Sequence, residues 1–146
     1  MPVSLEELQT IDYGWLAVDD AGYVAVLCTG GDGPVPATAI PNSFEVEEEL
    51  PEALLSEEPI RSSYMLFIEC PRPDSFIEIA QRGVFAYNWG DACRTLANCI
   101  GEYELAAAPT VPVKIDQLAP NVQKLANATR LPGVKFLLAH RIQVES

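Results

Sequence analysis

The sequence predicts an α+β domain, a mainly antiparallel sheet that begins with a hairpin and carries two or three helices packed on it. Three observations predict this class. Two β-rich runs flank a turn near the N-terminus. Strand and helix patterns then follow one another irregularly, without the βαβ alternation of a doubly wound parallel fold. And 146 residues, 49% of them hydrophobic, suffice for one core, so residues 1–146 are read as a single α+β domain.

Residues 14–19 and 23–28 are rich in aromatic and β-branched side chains, and Asp20, Ala21 and Gly22 between them are turn formers, so the pair reads as a hairpin. The 30–36 segment (GGDGPVP) suits neither a helix nor a central strand and is expected to be a loop. In residues 42–59, Asn42 with Glu45 has the spacing of a helix start, whereas Pro51 opens a short helix holding Leu54 and Leu55 in the competing reading. Residues 64–69 (YMLFIE) form a continuous apolar run of strand length, expected in the centre of the sheet because neither face suits water.

Ser75 and Glu78 have capping-box spacing, and Phe76, Ile79 and Ala80 give an apolar stripe that ends at Gly83, which predicts a helix of about two turns. Residues 84–88 and 103–108 read as short strands, the second closed off by Pro109 and Pro112. Leu118, Val122, Leu125 and Ala126 mark the apolar face of another helix, with Asp116 as N-cap and Pro120 in the first turn. From Val134 to Val144 alternate residues are mostly apolar, which predicts a closing strand.

Charge is distributed unevenly. The first sixty residues hold thirteen acidic side chains and no lysine or arginine; the remaining eighty-six hold eight acidic and nine basic ones, so the net charge of -12 belongs to the N-terminal part. An anionic surface attracts cationic partners and repels phosphates, which favours a basic protein over nucleic acid or an anionic membrane. The acidic residues alternate with Phe44, Val46, Leu50, Leu54 and Leu55, a pattern of folded rather than disordered chain. No apolar run reaches the length of a membrane span and the start has no signal-peptide pattern, so a cytoplasmic location is expected.

Residues with catalytic potential point elsewhere. His140 shares a predicted strand face with Phe136, Leu138 and Ile142, which makes it a core or interface histidine rather than a base. The glycine-rich loop has no Gly-Lys-Ser/Thr ending, carries Asp32 and has two prolines without N–H donors, so it is no phosphate cradle. Cys28, Cys70, Cys93 and Cys99 lack zinc-site spacing; Cys28 and Cys70 read as small hydrophobes at strand ends. Asp19 with Asp20 and the Glu47–Glu48–Glu49 run lack calcium-loop spacing; solvated acid is the simplest reading of both, with a protein-binding role the competing one for the glutamate run. Neither a catalytic residue, a metal nor a cofactor is therefore expected.

Two stretches have binding character. Glu47, Glu48, Glu49, Glu57 and Glu58 form the densest acid, and Trp89 with Asp91 stands in a polar turn-like setting (NWGD) after a strand, where Arg94 can pair with Asp91. Residues 15–36 (WLAVDDAGYVAVLCTGGDGPVP), 83–89 (GVFAYNW) and 103–112 (YELAAAPTVP) together resemble small bacterial proteins similar to immunity proteins of polymorphic-toxin systems. Asn88 departs from that pattern, which has an aspartate before the tryptophan. The resemblance implies a cytoplasmic, non-enzymatic protein that blocks a cognate toxin by binding it, with basic nucleases among the toxins of such systems. Two other readings fit the same residues: a small-ligand site or small enzyme with a pocket near the 30–36 loop and Trp89, using Asp91, Arg94 or His140; and a structural homodimer whose acidity maintains solubility.

Overall fold

Strand β1 (Tyr13–Val18) and strand β2 (Val24–Cys28) pair antiparallel from Gly14 opposite Cys28 to Val18 opposite Val24, and every residue of both is buried. The computed structural model describes residues 13–29, 33–45, 59–67, 73–89 and 102–144. The predicted hairpin is present, and Asp19 organises its turn: Oδ1 accepts the N–H groups of Ala21 and Tyr23, each at 2.9 Å. This is the Asx turn that makes aspartate a turn former.

The remaining strands are β3 (Phe44–Glu45), β4 (Tyr64–Leu66), β5 (Phe85–Asn88), β6 (Tyr103–Pro109) and β7 (Arg141–Ile142). The sheet runs β3-β1-β2-β5-β6-β4, with β7 also on β6. Among the described strands only β2 and β5 pair in parallel; the other strand pairings are antiparallel. The mixed sheet with two described α-helices, α1 (Asp74–Gln81) and α2 (Pro120–Asn127), makes the domain α+β.

Both helices lie on one face. Phe76, Ile79 and Ala80 of α1 and Val122 and Ala126 of α2, with Leu118 just before it, form one apolar cluster with Leu16, Val18, Val24 and Val26. The opposite face carries Trp15, Leu27, Phe85, Tyr87, Tyr103 and Leu105, covered by Val35, Ala39, Phe136 and Ile142. Burial on both faces explains why β1 and β2 are apolar throughout instead of alternating. Gly83 ends the first helical region with φ +85, and a Cβ there would lie 2.7 Å from Val113 Cγ1, so the position needs glycine for both conformation and space.

Several expectations require correction. The 64–69 run is not central: its described part is β4, a three-residue strand at the sheet edge whose residues are all exposed. The parallel β2–β5 pairing and the antiparallel β5–β6 pairing give the interior to alanine-rich β6, leaving β4 one partner. The closing strand shrinks to two residues. Gly133, at φ +79, and the Lys135 carbonyl, which accepts from Leu138 and Ala139 N–H groups at 2.9 Å, turn the chain before it can extend. Phe136 is consequently buried, whereas Leu137 and Leu138 face solvent.

The capping expectations also change. Pro73, not Ser75, is the N-cap of α1, and no side chain caps it; proline's fixed φ and Asp74 in the first turn start the helix instead. Asp116 lies inside a 3-10 turn (Ile115–Gln117), so Ala119 is the N-cap of α2, with Pro120 in the first turn as expected. Asn42 ends a 3-10 turn (Ile40–Asn42) and Glu45 lies in β3, so this pair starts no helix. The short helix expected after Pro51 lies outside the described residues.

Candidate functional site

The predicted contact residues Glu47, Glu48, Glu49, Glu57, Glu58 and Asp91, and the Arg94 pairing with Asp91, lie outside the described residues. Trp89 is placed at the end of β5, where its N–H donates to the Cys28 carbonyl at 2.9 Å. Its ring meets Tyr103 edge to face, with centroids 5.3 Å apart, and Tyr103 meets Trp15 in the same way at 5.8 Å. The Tyr103 hydroxyl donates to Pro34 O at 2.8 Å and accepts from Trp15 Nε1 at 3.3 Å. Trp89 is thus half-buried against the described end of the glycine loop.

That packing bears on a pocket beside the loop. A Cβ on Gly33 would sit 2.6 Å from Tyr103 Oη and 2.9 Å from Trp89 Cβ and Cγ. Between Gly33 and these rings there is not space for one added carbon atom.

His140 does not lie in the core. It is exposed, its ring stands edge to face with Phe67 at 5.3 Å, and its carbonyl accepts the Leu105 N–H at 2.8 Å. The strand that was to bury it is absent there, because the chain turns at residues 135–139.

Asp19 reverses its expectation as solvated acid. The residue is buried, and besides the two turn N–H groups on Oδ1, Oδ2 accepts the Phe136 N–H at 2.9 Å. Asp20 Oδ2 accepts from Gly133 at 2.8 Å. The hydroxyl of Tyr87 donates to Ala139 O at 2.6 Å; burial, and next the negative charge of Asp19, push its pKa above the ordinary phenol value. Together these groups fasten residues 133–139 across the second sheet face. Their work is structural, since each polar atom named is satisfied by backbone. No group of three or more histidine, cysteine, aspartate or glutamate side chains able to hold a metal occurs among the described residues. Cys28 is buried at the end of β2, in keeping with a small hydrophobe.

One surface was missed by sequence reasoning. Ile60 is 67% exposed, and Tyr64, Met65, Leu66 and Phe67 are 40, 48, 42 and 42% exposed. Five of the eight exposed large hydrophobic residues among those described thus fall within eight positions, so the apolar exposure is concentrated rather than scattered. Pro59 and Pro71, which flank the run, were the available signal, because proline beside a strand favours a sheet edge.

The chain matches no protein-family model, no curated protein and no solved structure. No described helix is long and apolar enough to cross a membrane.

Proposed function

We propose that this chain is a non-enzymatic, acidic immunity protein that neutralises a cationic bacterial toxin, such as a nuclease with a basic groove, by binding it directly in the cytoplasm. The observation that carries the reading is charge segregation: thirteen acidic and no basic residues in the first sixty positions. Clustered carboxylates accelerate encounter with a basic groove and form charge-assisted contacts within it, as the phosphates of a nucleic acid would. Glu47, Glu48, Glu49, Glu57 and Glu58 are the proposed contacts, with Trp89 and Asp91 at a second patch. The resemblance of the hairpin and glycine-loop residues to immunity proteins implies the same class of action.

The alternative of a small-ligand pocket near the 30–36 loop and Trp89 is less well supported, because Gly33, Trp89 and Tyr103 fill the described part of that space. The test is capture of binding partners by the purified chain at low and then high salt, followed by assay of any basic protein recovered. Stoichiometric capture of one basic protein, whose toxicity is abolished by an equimolar amount of the chain, supports neutralisation. A partner whose activity continues inside the complex refutes it.

A further inference from the structure

We infer that the outer edge of β4 is a docking strand, to which a cationic partner protein adds an extended segment. The inference deepens the binding function proposed above and rests on it for the partner's charge. The edge itself is defined by backbone geometry. The Ser63 carbonyl accepts the Thr110 N–H at 3.0 Å, and the Phe67 N–H donates to Ala106 O at 2.8 Å, so residues 63, 65 and 67 address β6. By the alternation of an antiparallel ladder, the N–H and C=O groups of Tyr64 and Leu66 point away from β6. Among the described residues no strand lies beyond β4 on that side.

Natural edge strands are usually guarded against pairing by charges, bulges or an internal proline. Tyr64, Met65, Leu66 and Phe67 carry no charge, and Met65 stands opposite Ala108 without a bulge. Leu66, opposite Ala107, lies on the helix side of the sheet, whereas Met65 and Phe67 lie on the other side, where Phe67 meets His140. An added strand would therefore find outward backbone groups for its ladder and apolar side chains on both faces, the two components of recognition by strand addition. Charge selects the occupant. At a net charge of -12 the chain attracts a cationic polypeptide and repels a second copy of itself.

The test uses the full chain and a synthetic Lys-Val-Lys-Val-Lys-Val-Lys-Val peptide, with a Glu-Val analogue and a proline-interrupted Lys-Val peptide as controls, followed by calorimetry and amide chemical shifts. The Lys-Val peptide is expected to bind, to shift the Tyr64 and Leu66 amides, and to outbind both controls. Leu66→Pro removes one outward N–H without touching those that face β6 and should weaken binding about tenfold. A Met65→Lys/Phe67→Lys variant, checked for native circular dichroism, should do the same by repulsion if Leu66→Pro fails to fold. Equal binding by these variants, or equal binding of the proline-interrupted peptide, overturns the docking edge and leaves only diffuse attraction to acid. A dimer in sedimentation that Leu66→Pro dissociates also overturns it, in favour of a second copy. Strand-dependent peptide binding alongside a basic partner whose toxicity persists in the complex would sink the immunity reading while leaving the edge intact.

Discussion

Asp19 illustrates how one side chain can serve two structural levels. Oδ1 closes the β1–β2 turn through Ala21 and Tyr23, and Oδ2 holds the Phe136 N–H more than a hundred positions away in sequence. Asp19→Ala strips an acceptor from three N–H groups at once and should lower unfolding free energy by about 3–5 kcal/mol, measured by urea denaturation. Asp19→Asn, which keeps one acceptor oxygen, should lose less; equal losses would show that one retained acceptor contributes nothing without the carboxylate's charge and second oxygen. Tyr87 gives a pH signature. Its phenol is raised in the folded chain, so above the unfolded value of about 10 the unfolded chain gives up a proton that the folded chain retains. Stability from this group is complete below about pH 10 and declines as pH climbs towards the raised folded value. Tyr87→Phe should remove that alkaline component, at a cost of about 1 kcal/mol at neutral pH for the lost bond to Ala139. An unchanged alkaline limb in the variant would assign it to other groups.

At the scale of elements, the hairpin, α1, β5, β6 and α2 were legible because each is specified locally by turn residues, a 3.6-residue stripe or a short β-rich run. What sequence could not supply was which strand is central. YMLFIE is more apolar than the YELAAAP of β6, yet β6 occupies the interior, because its small side chains fit beneath helices on one face and beneath large rings on the other. The alternation from Val134 to Val144 misled for a related reason: Phe136 and Ile142 are buried from a turn and a two-residue strand, so their even spacing is incidental. Of the candidate site, only Trp89 can be compared, and its burial against Tyr103 depends on a strand fourteen positions later. The glycine loop is a further element whose fit is testable. Gly33→Ala would force a methyl group into Tyr103 Oη and Trp89, so it should cost about 1–3 kcal/mol and alter the near-ultraviolet circular dichroism of the Trp15–Tyr103–Trp89 stack. An unaltered spectrum and stability would mean that the loop lifts freely from the rings.

At the scale of the whole molecule, acidic charge and apolar exposure lie close together in the chain: Glu57 and Glu58 are followed by Pro59, exposed Ile60 and, after Arg61, Ser62 and Ser63, the uncharged edge strand. The two features should act on different rate constants of a complex with a cationic partner. Carboxylates act at long range and speed encounter, an effect that salt screens over about 10 Å at 0.1 M. Buried apolar contact acts only after docking and slows release. Replacing Glu47, Glu48, Glu49, Glu57 and Glu58 by glutamine should therefore reduce the association rate about tenfold at low salt, with the difference closing at high salt and the dissociation rate little changed. Phe67→Ser should raise the dissociation rate and leave association and its salt dependence intact. Stopped-flow measurement of both variants against the captured partner separates the contributions. If association by the glutamine variant keeps the parent salt slope, the glutamates lie away from the encounter surface, and the charge of this chain serves solubility instead.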